Sequence, residues 1–327
     1  MTLYVIRRFF NYAILSLVAT CLAYVLASLV LDPAERFYGM NPRPPQASID
    51  ASLNEMGVNP DVPVLVRLWD WLVQLFTEFS LGTTVGGQQV TAEIAARSGA
   101  SLRLLLVGSI IGAVLGVVLG VWGAVRQYKA SDQVVTYTSF LIFATPVFVI
   151  GVLLMIGATM LNNALGTQVI RFTGEYTAGI SGNWWDLALD RAVHLLLPTI
   201  ALALIGAATY SRYQRSVMLD VLGADYIRTA RSKGLRRNQA LVRHGVRIAL
   251  IPMTTFFAYS FGTLIAGSAM LEIVFSWRGM GQFSLEAVTK NDINAIAGST
   301  LFVAVLILIS STLSEALYAA LDPRVRS

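Results

Sequence analysis

The sequence has very little charge for its length. Only 13% of its 327 residues are Asp, Glu, Lys or Arg, whereas 55% are hydrophobic, and an average soluble domain has roughly 25% charged residues. A water-soluble chain of this composition would be unable to cover its surface with polar side chains, so the composition predicts an integral membrane protein. The single cysteine, Cys21, excludes an internal disulfide and leaves no partner for a cysteine-based metal site.

Motifs for catalysis and nucleotide binding are also missing. The chain contains no His-Glu-x-x-His, Cys-x-x-Cys, Gly-x-Ser-x-Gly or Gly-x-x-x-x-Gly-Lys pattern. We therefore expect no enzymatic activity, no metal site and no cofactor bound by this chain. Its apolar stretches carry almost no ionisable side chains, whereas carriers driven by protons or sodium ions usually hold carboxylates or unwound helices at mid-membrane. If the chain moves a solute, the energy is expected to come from elsewhere.

Six apolar stretches are long enough to cross the hydrocarbon core, which takes about 20 helical residues. They predict an all-α membrane protein with spans at residues 9–31, 102–125, 134–161, 195–213, 249–271 and 296–318. The fourth stretch is the weakest of the six. We place its Pro198 near the start of the helix, where a first turn has no backbone donor to lose.

The basic residues are distributed unevenly between the two sides of this topology. With the N-terminus inside, the inner segments hold 15 Lys and Arg residues against four acidic residues, and the outer segments hold nine against 14. Lys and Arg accumulate on the cytoplasmic side of membrane proteins. Both termini are therefore predicted to be cytoplasmic, in a multi-pass protein of the cell (inner or plasma) membrane.

The topology divides the chain into three parts. Residues 1–31 form the N-terminus and first span, 32–98 form a long outer loop, and 99–327 form a five-helix core with an inner loop at 214–246. In the outer loop, apolar residues recur every three or four positions: Leu65, Leu68, Trp69, Leu72, Leu75, Phe76 and Phe79. This spacing predicts an amphipathic helix, which either lies on the bilayer or packs over the mouth of a pore.

Four glycines of the second span recur at every fourth position: Gly108, Gly112, Gly116 and Gly120. A helix face without side chains lets another backbone approach closely, which is common in membranes. The stripe predicts either a tight contact between subunits or helix packing within this chain, and both alternatives stay open.

The inner loop carries a basic segment with the sequence Asp225-Tyr226-Ile227-Arg228-Thr229-Ala230-Arg231-Ser232-Lys233-Gly234-Leu235. Residues 224–233 favour a helix, and Gly234 is expected to end it by adopting a left-handed backbone. A second helix is expected from Arg236 onward. From composition alone, the segment is a basic connection that touches anionic lipid headgroups.

The order and spacing of these residues resemble a known family. Arg228-Thr229-Ala230-x-x-x-Gly234, followed by Ala249-Leu250-Ile251-Pro252, resembles the Glu-Ala-Ala loop of the permeases of ATP-binding-cassette (ABC) importers. In that family the loop forms a coupling helix that docks into a cleft on a cytoplasmic ATPase subunit. Ala230 and Gly234 match the signature. Arg228 stands where the signature has Glu, as is usual in the permeases for dipeptides and oligopeptides.

Other segments resemble the first-listed, or B-type, permease subunit of those peptide importers. They are Tyr4-Val5-Ile6-Arg7-Arg8, Leu81-Gly82, His194-Leu195-Leu196-Leu197-Pro198, Val274-Phe275-Ser276-Trp277 and Leu321-Asp322-Pro323-Arg324-Val325-Arg326. Because they occur in order and together with six spans, the resemblance covers nearly the whole chain.

The resemblance implies a type I ABC importer permease fold that forms half of a peptide translocation pore. The implied partners are a second permease, two cytoplasmic ATPase subunits that bind ATP and Mg²⁺, an extracytoplasmic peptide-binding receptor and membrane lipid, with no nucleic acid. The residues implied in coupling to the ATPase are Asp225, Tyr226, Arg228, Thr229, Ala230, Arg231, Lys233, Gly234 and Leu235. No residue of the substrate path is predicted.

Three alternatives remain at this point. Nickel or another small solute could replace peptide, since nickel permeases share this loop. An ion-coupled secondary transporter is opposed by the nearly uncharged spans, and a membrane enzyme is opposed by the missing catalytic motifs.

Overall fold

The computed structural model describes residues 2–321, with the backbone alone described for residues 2–5, 237–238, 258–267 and 316–321. Within these residues the regular elements are helices, which confirms the all-α prediction for this part of the chain. In order they are α1 (Thr2–Val30), α2 (Glu35–Tyr38), α3 (Gln46–Glu55), α4 (Val64–Thr77), α5 (Val90–Val125), α6 (Ala130–Ala144), α7 (Val147–Leu165), α8 (Trp184–Gly223), α9 (Asp225–Ser232), α10 (Arg237–Ala240), a π-helix (Leu241–Val246), α11 (Arg247–Val274), α12 (Met280–Thr289) and α13 (Ile293–Leu321).

Five of the described helices are long and apolar enough to cross a membrane. They are α1, α5, α7, α8 and α13, so the chain is a multi-pass membrane protein. α11 is a further helix of 28 residues, but residues 258–267 of the predicted span 249–271 have no described side chains. The count of six spans therefore stays a prediction. The terminal segment that follows Leu321 lies outside the described residues.

The third predicted span, 134–161, is interrupted. α6 ends at Ala144 and α7 begins at Val147, and Thr145 between them is extended, with φ −91° and ψ 125°. Pro146 causes the break, because a proline disfavours helical backbone at the preceding residue and has no N–H to continue the hydrogen-bond ladder. The prediction of one continuous span is wrong. Of the two helices, α7 alone is long enough to cross.

The fourth predicted span begins earlier than the sequence analysis placed it. α8 starts at Trp184 and is 40 residues long, so Pro198 lies inside the helix and not in its first turn. A capping box sets the start. The Asn183 side chain accepts hydrogen bonds from the N–H groups of Trp185 and Asp186, and the Asp186 carboxylate accepts one from the Asn183 N–H. These bonds satisfy donors that a helix start would leave unpaired.

The chain forms two compact units. One consists of Thr2–Ser101 and Arg278–Ile309, which include α1 to α4, the start of α5, α12 and the first part of α13. Its apolar core joins the first span to the outer loop: Tyr24 of α1 and Trp71 of α4 are both buried, with ring centroids 5.6 Å apart. The outer loop is therefore packed onto membrane helices and does not hang free of them.

The amphipathic helix predicted in the outer loop is confirmed as α4, although its two buried residues are not among those that formed the predicted apolar stripe. Trp71 and Arg67 are buried, whereas Trp69 is exposed and Phe79 lies beyond the end of the helix. Arg67 tolerates burial because its guanidinium donates to two backbone carbonyl oxygens of the preceding loop, at 3.0 and 3.1 Å. The apolar stripe is wider than one packing face, so its periodicity alone did not identify the buried tryptophan.

The other unit contains Leu102–Trp277 and the chain from Ser310. Its central element is α8, against which α6, α7 and α11 all pack. At a rise of 1.5 Å per residue α8 is about 60 Å long, roughly twice the thickness of the hydrocarbon core. It therefore extends beyond the membrane and leads directly into the candidate coupling segment.

Candidate functional site

The candidate coupling segment forms a short helix of its own. α8 ends at Gly223, Ala224 is extended with φ −72° and ψ 144°, and α9 runs from Asp225 to Ser232. The extended residue interrupts the helical hydrogen bonding and redirects the chain. The helix predicted over 224–233 is confirmed, to within one residue at each end.

Gly234 ends α9 as the sequence predicts. Its φ is +92°, in the left-handed region. The Leu235 N–H donates to the Ala230 carbonyl at 3.3 Å, and the Gly234 N–H donates to the Arg231 carbonyl at 3.0 Å. This pair of bonds is the Schellman motif, which satisfies carbonyls at a helix C-terminus. A Cβ added at Gly234 would meet no atom within 4 Å, so the position needs glycine for its backbone conformation and not for space.

One buried side chain anchors α9. Ile227 is 3% exposed and lies in an apolar cluster with Met218 and Val221 of α8 and Leu241 of the π-helix. At about 25 cal/mol per Å² of apolar area, burying such a side chain is worth roughly 1.5–3 kcal/mol. The helix is therefore held at a single apolar position.

The π-helix after α9 completes the apolar contacts around Ile227. A Cβ added at Gly245 would lie 3.0 Å from Val221 Cγ1 and 3.6 Å from Ile227 Cδ1, so the backbone there passes close to the cluster. π-Helical turns are rare in proteins overall, and those that occur often lie at functional sites. Gly245 was not predicted from the sequence, because a single glycine in a basic stretch carries no periodic signal.

The remaining surface of α9 and its C-terminal cap is polar and accessible. The exposed residues are Asp225, Tyr226, Arg228, Thr229, Arg231, Ser232, Lys233 and Gly234, and Ala230 and Leu235 are half-buried. An ion pair joins Arg228 and Asp225 at 3.6 Å, but exposed pairs contribute little to stability. The predicted coupling residues thus form one solvent-facing surface on the helix that Ile227 anchors.

A partly buried ion pair fixes the C-terminal part of α8. Arg215 Nε and Nη2 donate to the two carboxylate oxygens of Asp132 in α6, each at 2.8 Å, which is the strong bidentate geometry. Asp132 is only 3% exposed, and the hydrogen bonds from Arg215 hold the pKa of its carboxyl below the usual value. Because Arg215 lies eight residues before Gly223, the pair fixes the direction in which α8 reaches α9.

The glycine stripe of α5 packs against α8 of the same chain. Cβ atoms added at Gly108, Gly112, Gly116 and Gly120 would lie 2.9, 3.1, 2.4 and 2.6 Å from Leu202 Cβ, Ala203 O, Tyr210 Cβ and Ser211 O, respectively. Such distances are shorter than ordinary van der Waals contact, so the four positions have no room for a side chain. Packing within the chain accounts for the whole stripe.

Replacing Gly116 by alanine is expected to destabilise this helix pair. The Ala207 carbonyl oxygen and the Ser211 nitrogen, at 2.9 and 3.0 Å from the added Cβ, belong to backbone that cannot rotate away, and overpacking typically costs about 1–3 kcal/mol. Gly157→Ala in α7 is the matched control, since its Cβ meets nothing within 4 Å. Thermal unfolding in the same detergent should show a lower midpoint for Gly116→Ala only. Equal midpoints would mean that the helices are less closely packed.

Comparison with known proteins agrees with the sequence resemblance. The family model described as the binding-protein-dependent transport system inner membrane component matches residues 116–327. The oligopeptide transport system permease protein OppB of Mycobacterium tuberculosis H37Rv is 48% identical over 326 residues, covering 100% of this chain and 99% of the relative. The oligopeptide permease AppB of Bacillus subtilis is 34% identical over 328 residues, covering 99% of each chain. The dipeptide permease DppB of Escherichia coli K12 is 40% identical over 148 residues, covering 45% of this chain and 42% of the relative.

The chain therefore belongs to the family of inner membrane components of binding-protein-dependent transport systems. It is a permease subunit of the ABC importer class, which is a transport component and not an enzyme. The matched residues 116–327 include α9 and its cap, so the candidate coupling segment lies within the region that defines the family.

Proposed function

We propose that this chain is the B-type permease subunit of an ATP-driven importer of dipeptides or oligopeptides and forms half of its pore. The similarity to the M. tuberculosis oligopeptide permease, 48% identity over essentially both full lengths, carries the proposal. Its extent matters because it includes the outer loop at 32–98, beyond the family match at 116–327. Similarity confined to the family region would support assignment of the chain as a permease, but it would not favour peptide over another solute.

The importer would need four further subunits. A second permease would complete the pore, two cytoplasmic ATPase subunits would bind ATP and Mg²⁺, and an extracytoplasmic receptor would deliver peptide. Both termini and α9 would then be cytoplasmic, which is supported by the 15 basic residues against four acidic residues of the inner segments.

The geometry of α9 suits it to couple ATPase movement to the pore. Its exposed surface would dock into the ATPase, while Ile227 and the cap at Gly234 keep the helix in one orientation. ATP binding would draw the ATPase subunits together and displace α9. The Arg215–Asp132 pair would pass this displacement to α8 and α6 as a rigid-body movement.

Uptake by the purified five-part complex in proteoliposomes tests the proposed function. Labelled peptide should accumulate only with receptor and ATP, and an ATPase subunit without its phosphate-loop lysine should stop accumulation. Unlabelled peptides should compete, whereas Ni²⁺ should neither compete nor accumulate. Accumulation of Ni²⁺ without competition by peptides would replace peptide with nickel. Uptake by this chain alone on an ion gradient would replace the ABC mechanism altogether.

A further inference from the structure

We propose that α4 is an interfacial helix embedded in the outer leaflet, with lipid acyl chains covering an apolar face that is exposed among the described residues of this chain. The proposal concerns how the outer loop is held at the membrane, and it does not depend on which solute is transported.

The side chains of α4 occupy three sectors around its axis at roughly 100° per residue. The sector that packs on protein contains Arg67, Leu68, Trp71, Leu72 and Leu75. An adjacent sector is apolar but exposed, with Leu65, Val66, Trp69, Val73 and Phe76. The third sector is polar, with Asp70, Gln74 and Thr77.

The exposed apolar sector is unsuited to water. Its five large side chains are each between 41% and 74% exposed, and contiguous patches of this kind are rare on surfaces that face water. The only charged residues of α4 are Arg67, which is buried, and Asp70, which lies in the polar sector. No charge therefore opposes the entry of the apolar sector into hydrocarbon.

The contact between α4 and α1 sets the depth of the helix. Trp71 packs on Tyr24, which lies six residues, or about 9 Å, before the end of α1 at Val30. Leu22, Leu26 and Leu29 of the same part of α1 are exposed, as expected for a spanning helix that faces lipid. α4 thus lies against a lipid-facing helix about 9 Å inside its outer end. Interfacial helices bury their apolar face by about 5–10 Å.

The polar sector faces a different medium. Asp70 and Gln74 line a cavity of about 440 Å³ together with Asn54, Asn59 and Asn294, and a cavity with this many polar groups suits water. Val73, at the edge of the apolar sector beside the polar one, also lines this cavity, whereas Leu65, Val66, Trp69 and Phe76 do not. Protein, lipid and water would therefore each meet one sector of α4. This is the environment of a helix that lies in the plane of the interface.

Embedding α4 also positions the chain that follows it. The Trp71 Nε1–H donates to the Leu81 carbonyl at 3.1 Å. This hydrogen bond links the segment that leads to α5 to the buried face of α4. The depth of α4 in the leaflet would then set the height of this connection above the membrane.

Accessibility of nitroxide spin labels tests the proposal in the assembled importer. In a Cys21→Ser background, Phe76→Cys and Gln74→Cys place labels two residues apart in different sectors, and Trp69→Cys gives a second position in the apolar sector. In lipid nanodiscs we expect residues 69 and 76 to collide frequently with oxygen, which partitions into acyl chains, and rarely with a water-soluble nickel chelate. Residue 74 should show the reverse. Its ratio of the oxygen collision rate to the nickel-chelate collision rate should be several-fold lower than that of the positions in the apolar sector.

Each other result overturns the proposal. Frequent collision of residues 69 and 76 with the nickel chelate would show that the apolar sector faces water. Low accessibility to both reagents would show that another protein, such as the second permease or the receptor, covers it. If the Trp69→Cys protein does not assemble, the comparison of residues 74 and 76 decides alone, because both lie on the same turn.

Discussion

Replacing Gly234 by valine is expected to abolish peptide uptake while the membrane spans stay folded. Gly234 has a φ of +92°, which a β-branched residue reaches only with strain of about 1–3 kcal/mol. The strain is relieved if the backbone leaves the left-handed region, and the two capping bonds from Leu235 and Gly234 are then lost. The end of α9 that carries Ala230 would be redirected, far from the hydrophobic contacts that hold the spans together.

Two control variants separate backbone strain from side-chain size. Asparagine tolerates the left-handed region better than other residues with a Cβ, so Gly234→Asn should retain most of the uptake. Gly223→Val adds the same side chain at a position that is also open, with nothing within 4 Å of its Cβ and no left-handed φ. It should transport like the unmodified chain.

Uptake in proteoliposomes and receptor-stimulated ATPase activity measure the effect, and crosslinking locates it. A cysteine introduced as Ala230→Cys should crosslink to one in the ATPase cleft, and adding Gly234→Val should lower the yield. Crosslinking also reports the side of the membrane on which α9 lies. Normal uptake by Gly234→Val, together with no crosslink in an active complex, would show that the segment is only a basic connection.

Replacing Arg215 by methionine is expected to destabilise the protein strongly. The variant leaves the Asp132 carboxylate, 3% exposed, without its cation. Breaking a fully buried pair costs about 3–5 kcal/mol, which is an upper limit here because the Arg215 side chain is 27% exposed. Adding Asp132→Asn removes the uncompensated charge, so the double variant should recover much of the loss. Asp225→Asn, at the exposed pair with Arg228, is the matched control and should leave the unfolding midpoint unchanged.

The dependence of this loss on pH checks its electrostatic origin. In the unmodified chain Arg215 depresses the pKa of Asp132, so the pair stabilises the fold above the unfolded pKa of about 3.9 and loses this contribution as pH falls through the lower folded value. In Arg215→Met the Asp132 carboxyl loses the hydrogen bonds that contribute most to lowering its pKa, so it is neutralised sooner on acidification. The difference in unfolding midpoint between the two proteins should therefore shrink from neutral to acidic pH. A difference independent of pH would indicate lost packing only.

Local signals predicted the candidate site well. The extent of α9 and the left-handed conformation of Gly234 depend on residues within about ten positions of one another, and glycine is the residue that the cap requires. Hydropathy located the membrane helices but obscured their ends. Pro146 and the capping box at Asn183 are both visible in the sequence, but the apolar residues continue past them. Hydropathy averaged over about 20 residues therefore shows no boundary at either position.

Contacts between distant parts of the chain were not predictable in this way. Asp132 and Arg215 are 83 positions apart, and each looks like an ordinary charged residue of an inner segment. Gly245 matters because of the side chains that the fold brings to it, and Trp71 rather than Trp69 is buried because α1 covers one side of a broad apolar stripe. Periodicity shows that a helix has an apolar side, but the neighbour that packs there decides which residues it covers.

The length of α8 has a mechanical consequence. α8 is a continuous helix of about 60 Å. Because the ion pair at Arg215 holds it and its packing along α5 supports it, α8 is expected to move as a rigid body. A tilt of about 5° around its midpoint would displace each end by about 2–3 Å in opposite directions, since each half is about 30 Å long. A displacement of α9 would thus move the two ends of α8 in opposite directions. Pro198, inside the helix, is the position at which α8 can bend instead of tilting as a whole.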